Sequence, residues 1–153
     1  MSVERVQAAL TGVPHAVVTH GHVGSLEEAA VARGVEPRAV VKTLVVRKGE
    51  DDYLFVLVPG DRQISWPKLR SLLGVSRMSL PDADDALRVT GYPRGSITPF
   101  GSTHPWPVVA DASMAGEEIT LGGGVSGTAV KLLADDAIRA LAATVADVTE
   151  VVA

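Results

Sequence analysis

Two apolar runs separated by a short polar segment constrain the fold more than any other feature of this sequence. Val40–Val46 and Tyr53–Val58 are rich in β-branched and large apolar residues, and the segment Lys48–Asp52 between them is polar. Such runs are typical of β-strands, and a short polar connection favours an antiparallel pairing of the two. We therefore predict a β-hairpin at this point of the chain.

Helical spacing of apolar residues, together with capping residues, predicts five helices. They cover Ser2–Leu10, Leu26–Arg33, Ser65–Gly74, Pro81–Thr90 and a last segment from about Asp135. Ser25 and Glu28 have the spacing of a capping box in front of the second helix. Apolar residues of the third and fifth helices are expected to face inward: Trp66, Leu69, Leu72, Leu73, Ile138, Leu141, Ala142 and Val145.

Shorter β-prone runs predict further strands at Ala16–Thr19, Val75–Leu80, Val108–Ala110, Glu118–Leu121 and Val130–Leu133. Helices and strands interleave, but several strands follow one another as hairpins, so the sheet should be mixed. We predict an α+β fold. Neither a linker nor a repeat divides the sequence, so we expect a single domain over residues 1–153.

The composition excludes several kinds of chemistry. Cysteine is absent, which excludes disulfides, thiolate metal sites and a cysteine nucleophile. No run of about 18 apolar residues occurs, as a membrane span would need, and no signal-peptide pattern is present. We expect a cytoplasmic protein that acts without a membrane and without a cofactor.

The charge distribution limits how nucleic acid could be bound. A formal net charge of −4 argues against binding over a wide surface, because each neutralised phosphate normally needs a Lys or Arg. From Arg62 to Pro81 there is no acid, however, and Arg62, Lys68, Arg70 and Arg77 occur there. This stretch predicts either one local positive surface or an ordinary solvated helix face.

Lys42 interrupts the first apolar run with an ammonium group. Burying an unpaired charge is costly, so this lysine either lies on an edge strand or faces a pocket. The residues alone leave both interpretations open.

A loop dense in glycine and proline runs from Gly91 to Gly101. Glycine lets the backbone approach a ligand, proline stiffens a loop, and exposed amide N–H groups can stabilise an oxyanion. Ser96 and Thr98 are its candidate nucleophiles, although no Gly-x-Ser-x-Gly pattern occurs in the chain. By itself such a loop is as often a simple connection as a binding site.

Four short motifs occur in order along the chain: Pro37-x-x-Val40-x-Lys42-Thr43-Leu44-Val45, Pro59-Gly60-Asp61, Thr90-Gly91-Tyr92 with Gly95-x-x-x-Pro99, and Val109-x-Asp111. Together they resemble the YbaK/prolyl-tRNA synthetase-associated editing domain over nearly the whole chain. The resemblance implies a mixed, partly barrel-like sheet flanked by helices. It also implies that Lys42 and the Gly95–Pro99 loop line a pocket for the aminoacyl end of a tRNA.

The implied activity is trans-editing, the hydrolysis of the ester that joins a mischarged small amino acid to tRNA. Lys42 and Gly95 are the implied catalytic positions. The implied substrate contacts are His20, His22, Thr43, Ser96, Ile97, Thr98, Pro99, Asp111 and Gly124. Two alternatives stay open: a non-catalytic module that binds aminoacyl-tRNA, and a domain that only contacts an aminoacyl-tRNA synthetase.

The sequence departs from the family pattern at two places. Relatives often carry Gly-x-Arg-Gly, an apolar residue and an acid where this chain has Gly124–Ala129 without the Arg or the acid. Some free-standing members have a tyrosine near the position of His20. The amino acid that is removed therefore stays open between cysteine, alanine, serine and other small residues.

His20 and His22 would point to the same side of a strand, as two metal ligands can. No cysteine or acidic cluster nearby completes a metal site, so we interpret the two as residues of the pocket rim or as residues without a role. Asp111 ends an apolar strand, and a cap on the neighbouring turn is favoured there over orientation of the glycine-rich loop. Gly122–Gly124 is interpreted as a turn at the pocket border.

Overall fold

Strands and helices interleave as predicted for an α+β fold. The computed structural model describes residues 3–21 and 23–152. The strands are β1 (Ala16–Thr19), β2 (Val41–Gly49), β3 (Asp52–Pro59), β4 (Arg62–Ile64), β5 (Val108–Asp111), β6 (Glu118–Gly122), β7 (Thr128–Leu133), β8 (Thr144–Ala146) and β9 (Thr149–Val151). The α-helices are α1 (Glu4–Ala9), α2 (Leu26–Arg33), α3 (Trp66–Leu73), α4 (Ala83–Thr90) and α5 (Ala134–Leu141).

The predicted hairpin forms one side of the main sheet. β2 and β3 pair antiparallel, from Val41 opposite Pro59 to Gly49 opposite Asp52. β3 pairs in parallel with β5, and β5 in parallel with β8, so the sheet has the order β2-β3-β5-β8 and is mixed. Every residue of β3 after Asp52 is buried, as expected for a strand covered on both faces. β2 is left as an edge strand.

A second, antiparallel sheet has the order β1-β7-β6 and packs against one face of the main sheet. Phe55 and Leu57 of β3 share the core between the sheets with Leu121 of β6. A bridge between Val40 and Thr120 connects the two sheets. Over residues 3–21 and 23–152 they do not close into a barrel, so the barrel-like character is partial.

The other face of β3 contributes to a smaller core. Leu54, Val56 and Val58 pack there with Leu69 of α3. Ile64 of β4 joins this core, and β4 pairs antiparallel with β9 in a two-stranded sheet. β9 is thereby paired with β4, the strand that directly follows β3 in the chain.

Capping residues define ends of α2, α3 and α4, and α4 begins at Ala83 after the cap Asp82 and not at Pro81 as predicted. Ser25 and Asp82 each accept a hydrogen bond from the amide three residues further on, at the starts of α2 and α4. Gly34, Gly74 and Gly91 end α2, α3 and α4 in the left-handed conformation that glycine adopts without a Cβ clash. In the described ranges no helix combines the length and apolarity needed to cross a bilayer.

Some capping predictions were wrong in detail. The Glu28 carboxylate accepts a hydrogen bond from the Gly24 amide and not from Ser25, so the capping box is incomplete. Ser65 precedes α3 but its side chain makes no capping hydrogen bond. The predicted helix start at Ser2 lies outside the described residues.

The predicted strand Val75–Leu80 was wrong. Only Ser79 pairs, through a bridge to Arg47. The next two residues, Leu80 and Pro81, line the cavity beside the outer edge of β2 and do not pair with it.

Three residues that were expected to face inward are exposed. Leu72 is 41% exposed on α3 and Val145 is 44% exposed on the edge strand β8, while Ala142 ends α5 in a left-handed conformation. β4, β8 and β9 were not predicted, because three-residue strands are too short to show a hydrophobic period.

Candidate active site

A cavity of about 440 Å³ opens between the outer edge of β2 and the glycine-rich loop. Four predicted site residues line it: Lys42 and Thr43 from β2, and Gly95 and Ile97 from the loop. The rest of the lining consists of Arg33, Val40, Val41, Leu44, Val45, Leu80, Pro81, Ala86, Arg94 and Gly122. The structure therefore brings together the two catalytic positions implied by the family resemblance.

The outer edge of β2 is held at two points and is open between them. Val40 bridges to Thr120 at one end, and Arg47 bridges to Ser79 at the other. Because the main sheet ends at β2, the stretch between these bridges faces the cavity in place of another strand.

Backbone polar groups of this open edge point into the cavity. Arg47 uses its outward amide and carbonyl to bond Ser79, with N···O distances of 2.8 and 3.1 Å. The direction of these groups alternates along a strand, so those of Val41, Thr43 and Val45 also point outward. The Thr43 hydroxyl oxygen is buried without a hydrogen-bond partner. The edge thus offers donors and acceptors in strand geometry to a bound ligand.

Lys42 stands on an edge strand and also lines the cavity, so both interpretations left open by the sequence hold. Its Nζ donates to the Arg62 carbonyl at 3.1 Å. Burial lowers the pKa of Lys42, and attraction by Asp61 offsets only part of that effect. The ammonium group is therefore less strongly held in its charged form than that of a solvated lysine.

The glycine-rich loop is anchored at both ends. The Tyr92 hydroxyl donates to the Phe100 carbonyl at 2.7 Å, and the Arg5 guanidinium lies 4.6 Å from the centre of the Tyr92 ring. Between these anchors Gly95 has φ of 96°, in the left-handed region, and no atom lies within 4 Å of where a Cβ would stand. Gly95 is thus required for its conformation and not for lack of space.

The cavity is lined by three cations, Arg33, Lys42 and Arg94. None of its lining residues in the described ranges is acidic. Arg33 ends α2 and donates to the Thr120 hydroxyl at 3.0 Å, and burial lowers its pKa. Arg94 donates to the Pro81 carbonyl at 3.3 Å. We call this space the cationic cavity. Sequence reasoning missed both arginines, and the only signal was that Arg94 directly precedes Gly95.

A groove of about 510 Å³ adjoins the cationic cavity and contains four further cations. These are Arg47, Lys48, Arg70 and Arg77. Ser79 lines the groove and the next residue, Leu80, lines the cavity, while Arg47 lies roughly 7 Å beyond Val45 along β2. We call this surface the basic groove. It adjoins the cavity along two chain segments.

The acid-free stretch only partly predicted this groove. Arg70 and Arg77 line it as a local positive surface. Lys68 instead pairs with Asp147 at 3.0 Å, and Arg62 lies 3.7 Å from the Asp111 carboxylate.

Comparison with known proteins identifies the family of this chain. The sequence profile of the aminoacyl-tRNA editing domain matches residues 20–140. The chain belongs to this family. The match includes β2, the glycine-rich loop and therefore every residue that lines the cationic cavity.

Relatives of this editing domain occur inside larger proteins. The proline–tRNA ligase of Thermosipho melanesiensis is 37% identical over 90 residues, which cover 59% of this chain and 16% of the ligase. That of Fervidobacterium nodosum is 34% identical over 104 residues, covering 68% of this chain and 18% of the ligase. The chain spans less than a fifth of the length of these curated relatives.

One solved structure is similar to this chain over nearly the whole length of both proteins. A candidate trans-editing enzyme for prolyl tRNA synthetase superposes on this editing domain with a TM-score of 0.88 and 27% sequence identity. The superposition covers 97% of this chain and 96% of that one.

Six predicted substrate contacts among the described residues lie outside the lining of the cationic cavity. Ser96, Thr98 and Pro99 are buried in the loop, where the Ser96 amide and hydroxyl both donate to the Pro93 carbonyl. Gly124 is buried behind the loop, where a Cβ would come within 2.8 Å of the Tyr92 ring. His20 and Asp111 are described below. For all six, contact with substrate stays a prediction.

His20 follows β1 and its amide donates to the Gly127 carbonyl at 2.8 Å. Its Nδ1 lies 2.8 Å from the Gly21 carbonyl, and its Nε2 is buried without a partner. His22 lies outside the described residues. Within the ranges that the structure covers, no group of three or more His, Cys, Asp or Glu side chains could hold a metal ion.

Asp111 is 1% exposed and acts as a cap, the role that the sequence analysis favoured. Its carboxylate accepts hydrogen bonds from the Ser113 amide and the Val148 amide, both at 3.1 Å. Burial raises the pKa of Asp111, but hydrogen bonds from Ser113, Val148 and Thr149 lower it further than burial raises it. The carboxylate is therefore held in its charged form inside the protein.

Proposed function

We propose that this editing domain is an aminoacyl-tRNA deacylase that hydrolyses, in trans, the ester of a small amino acid wrongly attached to tRNA. The observation that carries the proposal is the meeting of Lys42, the Gly95 loop and the open edge of β2 at one cavity. Family membership supports an aminoacyl-tRNA substrate. Similarity to a candidate trans-editing enzyme over 96% of its length supports action in trans, with proline-accepting tRNA as the first substrate to test.

The proposed reaction needs no nucleophile from the protein. A water molecule, oriented by the neighbouring ribose hydroxyl, attacks the ester carbonyl carbon. The bond from that carbon to the ribose oxygen breaks, and the ribose oxygen takes up the proton that the water loses. The products are a free amino acid and an uncharged tRNA. The protein contributes by orienting the ester and by stabilising the charge that develops on its carbonyl oxygen.

The lining residues suit these tasks. The Lys42 ammonium would hold a phosphate or ribose oxygen next to the ester. Outward amide and carbonyl groups of Thr43 and Val45 would bond the polar groups of the amino acid. Leu80 and Ile97 supply apolar walls, and about 440 Å³ must also contain the terminal nucleoside, which supports a small amino acid.

The basic groove supports an RNA substrate. Nucleotides that precede the aminoacylated end would leave the cationic cavity along Leu80 and Ser79 and reach Arg70 and Arg77. Cations at this position can neutralise backbone phosphates although the whole chain has a net charge of −4.

Turnover on a panel of charged tRNAs tests the proposal. Proline-accepting tRNA charged with alanine, serine, cysteine or proline is incubated with the protein, and loss of the ester is followed. We expect hydrolysis of at least one small mischarged amino acid, and none of the cognate proline ester. Binding without turnover across the panel would instead identify a non-catalytic tRNA-binding module.

A further inference from the structure

The anchor of Lys42 is a backbone carbonyl and not a carboxylate. Its Nζ lies 3.1 Å from the oxygen of Arg62, which begins β4 at the end of the turn that joins β3 to β4. The position of the ammonium group therefore depends on the position of this turn. The charged groups around Lys42 are Asp61 in the turn and Arg62 at the start of β4, with Arg33 and Arg94 in the lining of the cationic cavity.

A buried polar network holds the turn from the side of the C-terminus. Arg62 Nε donates to the Thr149 hydroxyl at 2.5 Å and lies 3.7 Å from an Asp111 oxygen. The Thr149 hydroxyl is in turn hydrogen bonded to the Asp111 carboxylate. Thr149 and Asp111 are 0% and 1% exposed, so water does not compete for these contacts.

Backbone contacts hold the same turn on both sides. The Val152 amide donates to the Asp61 carbonyl at 3.2 Å, which extends the pairing of β4 with β9. On the other side, a Cβ at Gly60 would lie 2.3 Å from the Pro37 carbonyl oxygen and 3.0 Å from that of Val40. The turn is thus held between the segment before β2 and the C-terminal strand.

We propose that Asp111 and Thr149, acting through Arg62, are positioning residues that hold the turn at Arg62 and thereby the Lys42 ammonium at the cationic cavity. Neither residue touches the cavity, so neither acts on the substrate directly. The proposal rests on the proposed deacylase activity for its consequence on rate, but the anchoring of Lys42 can be measured without that activity.

Nuclear magnetic resonance of the unliganded protein provides this measurement. The chain has four lysines, at positions 42, 48, 68 and 131, so a sample labelled with ¹³C at lysine gives few side-chain signals. Lys42 is assigned by the signal lost in Lys42→Arg, and its titration is followed in Asp111→Asn and Thr149→Val. Loosening the turn should relieve the burial of the ammonium group, and the Lys42 midpoint should rise toward that of an ordinary lysine in both variants.

The matched control is Asp136→Asn, the same acid-to-amide change as Asp111→Asn. Asp136 pairs with Arg139 at 3.0 Å on α5, so this variant should leave the Lys42 midpoint unchanged. If Asp111→Asn does not fold, Thr149→Val, which keeps the shape of the side chain, decides alone. An unchanged Lys42 midpoint in every folded variant would overturn the proposal.

Deacylation kinetics test the consequence on rate. In both variants kcat should fall on the order of tenfold, since a small misplacement of a catalytic group is costly, while KM for tRNA should change by less than about twofold. A fall in kcat with an unchanged Lys42 midpoint would assign the two residues a purely structural role and overturn the proposal. If the wild-type protein shows no turnover, the proposed function fails, and the titration still tests the anchor.

Discussion

The cationic cavity and a second cavity, lined in part by the turn at Arg62, have similar sizes and opposite charge. The second cavity measures about 390 Å³, against about 440 Å³. Its charged lining residues are Glu36, Arg38, Asp61, Arg62, Glu117 and Glu118, and we call it the acidic cavity. Both of its arginines face a carboxylate, at 2.9 Å from Glu36 and 3.7 Å from Asp111. The cations of the cationic cavity have no such neighbours in its lining, within the described ranges.

The difference shows why neither the size of a cavity nor the net charge of the whole chain locates the proposed substrate site. A net charge of −4 describes the whole chain, whereas a polyanion responds to the local field. Seven of the 14 Lys and Arg residues line the cationic cavity and the basic groove, and no acid of the described chain lines either. Acids are concentrated elsewhere, including the acidic cavity.

Removing the Lys42 ammonium should have the largest effect on activity. Lys42→Ala is expected to lower kcat/KM for a mischarged tRNA by about 10²-fold, because the ester loses a group that orients it. Single-turnover deacylation measures the effect. Lys131→Ala, on β7 and paired with Glu118, is the control and should keep its rate. Undiminished turnover by Lys42→Ala would exclude this residue from the mechanism. It would also contradict the functional difference drawn between the cationic and the acidic cavity.

Asp111→Asn should show that one acid beside the acidic cavity also stabilises the fold. Its pKa is lowered below the ordinary value of 3.8, so it stabilises the fold above that pH, and the stabilisation disappears as the pH falls through its lowered pKa. At about pH 7 the variant should lose about 1 to 3 kcal/mol of unfolding free energy. Urea unfolding at about pH 7 and about pH 3 tests this, because the difference from wild type should shrink at the lower pH. The exposed Glu117→Gln should show no such loss at either pH.

Gly95→Ala should test whether Gly95 is needed for its left-handed backbone conformation, since there is space for a Cβ at this position. A side chain at φ of 96° is strained by about 1 to 2 kcal/mol or more, so the loop should shift and kcat/KM should fall about tenfold. The control is Gly21→Ala, because an added Cβ there also meets nothing within 4 Å but the backbone is not left-handed. Equal activity of the two variants would show that the loop geometry is not needed.

The basic groove should produce the smallest effects, and they should depend on salt. Arg70→Ala and Arg77→Ala are each expected to raise KM for tRNA about threefold with kcat unchanged, and to reduce the salt slope by about 1 for each lost phosphate contact. Arg38→Ala, in the acidic cavity, is the control and should leave KM and the salt slope unchanged. A slope that decreases equally in Arg38→Ala would mean that RNA does not distinguish the two surfaces.

The parts of the fold that were predictable depend on local signals. The hairpin of β2 and β3 follows from two apolar runs, and Ser25 caps α2 through the amide three residues away. β8 and β9 were missed because their pairing partners, β5 and β4, lie far away in sequence. The exposure of Val145 was also unpredictable, because it depends on β8 lying at the edge of the sheet.

The candidate site was predictable where the family resemblance reached it. Lys42 and Gly95 line one cavity as that resemblance implied. Arg33 was missed because its position in the cavity depends on how α2 packs near Thr120, which no local pattern reveals. The role of Arg62 was missed for a similar reason. Its carbonyl accepts a hydrogen bond from Lys42 and its side chain donates one to Thr149, and both partners lie far away in sequence.

The gap in pairing along β2 has a consequence for how the protein behaves in solution. An uncovered strand edge invites pairing with another copy of the chain and is a common origin of aggregation. Here the gap spans roughly 23 Å between Val40 and Arg47, which is long enough for a foreign strand. Such a strand would have to desolvate Arg33, Lys42 and Arg94, which discourages apolar invaders. The charges that we assign to substrate binding would also act as gatekeepers against self-association.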